Sequence, residues 1–267
     1  MKKFIIGSIV TAIVALFIVG ACSLPRTVEL FPPAPVTVSN ELDAFISNAI
    51  LEKNMSMYRQ GEAQAEGHVV LGTAQSGNEL QIYCVVSYNE LGFENGILTC
   101  VSGSWEIPVR IIFSTTGGEY KLIEYREAMD GSLYPVSVKE MFPKNLHGVL
   151  SSSGSYAGKM NEQLNGYAER YLDTLGRSAD IHLSYVQKER IPMDVSLSNR
   201  LLSEYSEYPL RIGSREVLDN GVRIIYQCSY DEENGHIIFE KGVMDDNFEV
   251  ASIEERTVID LATGETV

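Results

Sequence analysis

Four histidines, four cysteines and several acid-rich turns are the side chains in this sequence with the most chemistry to offer, and their spacing says which reactions to set aside. His68, His147, His182 and His236 lie far apart and show no H-x-H, H-x-x-x-H or mixed Cys/His pattern. A zinc site would need ligands gathered from separate elements. The turns DEEN (231–234) and MDDN (244–247) lack the D-x-D-x-D-G order of a calcium loop and read as solvated hairpin ends. No H-E-x-x-H, G-x-S-x-G, S-x-x-K with its partner motifs, P-loop or dinucleotide fingerprint after a strand occurs. The expectation is no catalytic set, no metal and no cofactor. Carboxylates brought together only by folding would escape this reading, because they leave no local signature.

Cys84 and Cys100 fall on consecutive strand patterns. A register with Tyr88 opposite Gly96 also sets Cys84 opposite Cys100, within reach of a disulfide, and leaves Cys228 unpaired. Free cysteines in a core fit the same residues, and the spacing leaves both readings open. Trp105, Tyr125, Arg126 and Tyr134 are the residues expected to form a recognition surface, since aromatics and arginine are the usual interface anchors. For Trp105, a core or strand-end position is the plainer alternative.

The N-terminus decides where this chemistry would operate. Lys2 and Lys3 precede an apolar run from Phe4 to Val19, and Val19-Gly20-Ala21-Cys22 fits a bacterial lipobox. The expectation is a signal peptide over 1–21 and a lipid on Cys22. The run is short for a spanning helix, which takes about 20 residues. Loss of the two lysines takes the net charge from −15 to −17, which argues against nucleic acid. Residues 22–40, with Pro25, Pro32, Pro33 and Pro35, read as a lipidated cysteine followed by an extended tether.

The elements expected to position these residues start with a helix capped at Ser39 or Asn40, with Leu42, Phe45, Ile46, Ala49 and Ile50 on one face. GHVVLGT, LQIYCVVSY, GILTCVS, PVRIIFSTT and YKLIEYRE follow as strand patterns with short turns, an antiparallel meander. In LQIYCVVSY, Leu80, Ile82, Cys84, Val86 and Tyr88 form the better core face. Ser137 to Glu140 has capping-box spacing for a helical turn that Pro143 stops. SSSGSYAG (151–158) has linker composition, so a first α+β domain is expected over 41–150 and a second over 159–267. The second opens with an amphipathic helix ending at Gly176, then strands with hairpin signals at Asn220-Gly221 and Asn234-Gly235. The class is α+β, two helix-plus-antiparallel-sheet domains, with a cystatin-like or NTF2-like cone as the nearest analogy.

GHVVLGT, IYCVVSYNELGF, SGSWEIPVRIIF and EYKLIEYREAMDGSLYPVSVKEMFP, within residues 41–143, resemble the extracellular accessory C-terminal region of Gram-positive β-lactam-sensing antirepressor membrane metallopeptidases and related stand-alone lipoproteins. Arg126 stands where that pattern would carry an aromatic residue. The resemblance implies an extracytoplasmic accessory module and brings no catalytic residues. The function expected is a membrane-anchored lipoprotein on the extracytoplasmic face of the cell membrane, binding or sensing an envelope protein, peptide or cell-wall ligand without catalysis. The alternatives are an enzyme acting on envelope material through dispersed carboxylates, and an inhibitor or scaffold of a neighbouring membrane protein.

Overall fold

Ser39 caps the first helix, α1 (Asn40–Asn54), by accepting a hydrogen bond at its Oγ from the Leu42 N–H at 3.3 Å. In the computed structural model, which describes residues 32–267, the apolar stripe of α1 lies on an antiparallel meander of β1 (Ala63–Ser76), β2 (Glu79–Glu94), β3 (Ile97–Ser114) and β4 (Lys121–Glu127). Ile46 and Ile50 of α1 meet Ile82, Cys84, Val86 and Tyr88, the face of β2 expected to be core. The opposite face is buried as well. Tyr83 and Val85 pack against Val138, Met141 and Phe142, around α2 (Tyr134–Met141), and against Met160 of α3 (Ala157–Leu175). A strand covered on both sides needs apolar residues at consecutive positions, which is how Ile82 to Val86 reads. Gly67 lets α3 approach β1 closely, for a Cβ there would stand 2.6 Å from the Met160 carbonyl oxygen.

A second meander is made of β6 (Gly213–Asp219), β7 (Val222–Asp231), β8 (His236–Met244) and β9 (Val250–Asp260). Its core rests on α4 (Val195–Glu204), where Leu197 and Leu201 meet Cys228, Ile237, Phe239 and Ile259. Asn220 and Gly221 both have positive φ, as the two-residue hairpin turn requires, and Asn95 and Gly96 do the same between β2 and β3. The two meanders join at the β2 end: Glu94 pairs with Arg215, the Asn95 N–H donates to the Ser214 carbonyl at 3.1 Å, and Ser214 N–H donates to Asn95 Oδ1 at 2.7 Å. A single sheet results, in the order β4-β3-β2-β6-β7-β8-β9, with β1 on β2 and the short β5 (Ile181–His182) parallel to β3. The fold is α+β, the class expected.

Its internal boundaries differ in detail from the sequence reading. Tyr156 and Ser152, inside the stretch of linker composition, are buried, and the Tyr156 hydroxyl donates to the Pro33 carbonyl at 2.7 Å. The following helix, α3, buries Leu164, Ala168 and Leu172 against Ala65, Leu91 and Phe93 of the first meander. Small polar residues mark the turn before α3 but carry no information about which sheet the helix covers. The end of the proline-rich segment also docks, with the Val36 N–H donating to the Val70 carbonyl at 2.7 Å. Cys22 and the expected signal peptide, residues 1–21, lie outside the described residues.

Candidate binding site

The cysteine pair is corrected by the register. β2 continues to Glu94, so the turn pairs Glu94 with Ile97, and bulges between the strands shift the partners further; Cys84 faces Val109 and Cys100 faces Leu91. Cys84, Cys100 and Cys228 are all free. Burial pushes each thiol up, Cys228 to about 12, which disfavours the thiolate at all three.

The four residues expected to share a recognition surface are dispersed. Tyr125 packs in the cluster beneath α1 and its hydroxyl accepts from Asn54 Nδ2 at 3.3 Å. Tyr134 packs against the α2 cluster on the other face of the sheet, and Arg126 pairs with Glu140 at 3.2 Å. Neighbours on a strand point to opposite faces, so Tyr125 and Arg126 cannot serve one surface. Trp105 alone stands at a pocket, and its ring is 44% exposed.

That pocket is built by a bulge. GILTCVS and PVRIIF, read as two strands, are one strand, β3, in which Val86 faces Ile107 but Tyr88 faces Ser104, so Ser87 stands against both Trp105 and Glu106. Glu106 takes a left-handed conformation, φ 51°, costly for a residue with a side chain. It is held there on both sides: its N–H donates to Ser87 Oγ at 3.0 Å, and its carboxylate accepts from the Gly154 and Tyr156 N–H groups before α3. Gly103 completes the close approach, since a Cβ would fall 2.1 Å from the Tyr88 carbonyl oxygen. The far wall is Leu183, Ser184 and Tyr185, fixed beside β3 by the hydrogen bond from Thr99 Oγ1 to the Ser184 carbonyl at 2.7 Å. Between these walls lies a cavity of about 350 Å³ bordered also by Asn89 and Cys100, with no charged side chain in its lining. Tyr185 is 74% exposed, whereas Asn89 is wholly buried and neither atom of its amide has a partner among the described residues. Buried amides nearly always find partners, so this one is open to a further hydrogen bond.

Two other polar clusters are closed. His68 is held by Glu66 Oε2 at Nδ1, 3.0 Å, and by Asp43 Oδ1 at Nε2, 3.2 Å, while Ser47 Oγ donates to Glu66 at 2.7 Å. Burial lowers the His68 pKa, but the hydrogen bond and charge of Glu66, then those of Asp43, outweigh it and hold the imidazole above its ordinary value. With a carboxylate on each nitrogen it has no free lone pair to act as a base. The second cluster lies around Phe93. Arg177 forms a two-bond fork with Glu216 at 2.6 and 2.8 Å, and Arg223 bonds Glu62 at 2.7 Å and Glu216 at 3.1 Å. Tyr171 donates to Glu62 at 2.7 Å, and the Arg177 guanidinium sits 3.7 Å from the Phe93 ring centre. Sequence reading missed both clusters, for their members come from distant elements. Among the described residues no group of three or more His, Cys, Asp or Glu is arranged to hold a metal. Compared with known proteins, the chain matches no protein-family model, no curated protein and no solved structure.

Proposed function

We propose that the protein is a membrane-anchored extracytoplasmic lipoprotein that works as a non-catalytic binding module at the cell envelope, through the pocket of Trp105, Tyr185 and Asn89. The buried, unpartnered amide of Asn89 carries this reading: a group left unsatisfied beside an aromatic cavity is what a ligand would complete. The lining selects an uncharged ligand, since an ion there would lose water and gain no counter-charge. An envelope peptide or cell-wall fragment fits these terms, as does the accessory role implied for residues 41–143. The carboxylates that folding does bring together are engaged, Glu62 and Glu216 by arginines and Glu66 and Asp43 by His68, which disfavours the enzyme alternative.

The only tryptophan of the chain is Trp105, so its emission reports on this pocket alone. Full-length protein in detergent, titrated with cell-wall fragments and short envelope peptides, is expected to show a saturable emission change, thermal stabilisation and no product. At a hundred times its dissociation constant a ligand adds about 2.7 kcal/mol. Turnover that one carboxylate or histidine substitution abolishes, in protein that still folds, would overturn the reading. The anchor is tested apart: Cys22→Ala should end lipid labelling, and membrane retention without label would sink that part.

A further inference from the structure

We propose that the cleft between the two meanders is an oxyanion site, in which Arg59 and Arg215 together receive a carboxylate or phosphate group. Independent of the Trp105 pocket, this cleft is a cavity of about 390 Å³ to which the first meander contributes Gly61, Glu62 and Gly92, the second contributes Glu216, Val217 and Tyr226, and the segment before β6 contributes Glu207. Arg59 and Arg215 both line it, and neither has a carboxylate within ion-pair distance among the described residues. In a chain of net charge −15, acids are the common resource, yet those around these arginines are committed elsewhere. Glu62 and Glu216 belong to Arg223 and Arg177. Glu94 is taken by Lys188 at 3.1 Å, and the Glu207 carboxylate is hydrogen-bonded to the Tyr226 hydroxyl.

Against the two guanidiniums of the cleft stands one carboxylate without a cationic partner within ion-pair distance among the described residues, Glu207, so an excess of positive charge remains. Arg59 makes one long hydrogen bond, to the Val101 carbonyl at 3.4 Å. Arg215 donates from one terminal nitrogen to the Glu207 carbonyl, and its buried Nε has no partner among the described residues. Arg215 is kept in place by its register between Glu94 and Tyr226 in the sheet. Burial first, then the positive charge of Arg59, lowers the Arg215 pKa, and the charges of Glu207 and Glu94 offset this only in part. A half-buried Arg215 with an exposed Arg59 beside it costs free energy that an anion between them would recover. Guanidinium forks match the planar edge of a carboxylate and the oxygens of a phosphate, so the group bound is an oxyanion rather than a halide. The apolar wall of Val101, Val217 and Leu218 leaves room for a short organic body attached to it.

Calorimetric titration of full-length protein in detergent with inorganic phosphate, with an N-acetylated dipeptide bearing a free carboxylate, and with the same dipeptide as its amide tests the site. Phosphate or the free dipeptide should bind saturably and the amide should not; which of the two binds tells a phosphate from a chain-end carboxylate. Arg59→Gln should weaken binding at least tenfold and, without anion, leave the melting temperature unchanged or raised, because a like charge is removed from an exposed position. Arg256→Gln, at an exposed pair with Glu240, is the control and should leave binding intact. No saturable heat with either anion, equal binding of the amide, or full affinity in Arg59→Gln would each overturn the proposal.

Discussion

Around Phe93, four charged side chains are taken out of water and every one is answered: Arg177 and Arg223 face Glu62 and Glu216, Tyr171 takes the remaining carboxylate oxygen, and aromatic rings cover the guanidinium planes. Around Asn89, about as deeply buried on the same strand β2, a neutral amide is answered by nothing among the described residues. Charge is the more expensive group to bury, so folding had the stronger reason to complete the first site. The second is tolerable only because an unmet neutral amide costs about 1–3 kcal/mol. Saturation marks a site that holds the fold together, here the α3 helix and β7 against β2. An unmet amide beside open aromatic walls marks a site that something outside the chain can finish.

The largest effect expected is at the saturated site. Arg223→Met should lower stability by about 3–5 kcal/mol, because Glu62 and Glu216 then share fewer donors while still buried. Urea denaturation at neutral pH measures it. A loss under about 1 kcal/mol would mean that the cluster does not hold the two meanders together, and the contrast with Asn89 would fail. A smaller effect of opposite sign is expected at the open site. Asn89→Leu keeps the branched outline of the side chain and removes the unmet amide, so it should stabilise the protein by about 1–2 kcal/mol while abolishing the Trp105 emission change with ligand. Destabilisation by a similar amount would show that the amide is satisfied in solution and that the two sites differ only in charge.

The residues of the two sites were legible to different degrees, for a physical reason. Strand patterns, the Ser39 cap, the Gly176 stop and the Asn-Gly turns are local, so α1, α3, β2 and the hairpin at Asn220 were read from the chain. Trp105 was singled out by residue type. Its pocket was not, because it depends on a bulge at Trp105 and Glu106 that only pairing with Ser87 creates, and on Tyr185, some eighty residues onward. The run of β2 on to Glu94, which sets the turn at Asn95-Gly96, carried Cys100 away from Cys84. The ion cluster was invisible for a stronger reason: Arg223 and Glu62 stand 161 residues apart, and no spacing rule reaches across two meanders. Charged residues at alternate strand positions read as solvent-facing until a second layer covers them.

His68 lies between the two extremes, since it is answered on both nitrogens but one of its partners, Asp43, remains half in water. Its effect should be the smallest and should appear as a dependence on pH. Burial alone would favour the neutral ring, yet Glu66 and Asp43 prevail and the folded-state pKa lies above the ordinary 6.5. The folded protein therefore holds this proton more tightly than the unfolded chain does. The stabilisation is fully present below about pH 6.5 and is lost as pH rises through the folded value. Ser47 and Tyr167 hydrogen-bond Glu66, and Lys159 and Glu162 line the same groove as Asp43 and His68. The Tyr167 hydroxyl is pushed up by burial, then by the charge of Glu66, so it does not titrate in this range. His68→Gln keeps a hydrogen-bonding side chain and removes the titration. Urea midpoints at pH 6, 7 and 8 should show the advantage of His68 over the glutamine variant shrinking as pH rises. An advantage that is flat or grows with pH would mean that the ring is already neutral at pH 6, and that its two carboxylates complete it no better than the empty pocket completes Asn89.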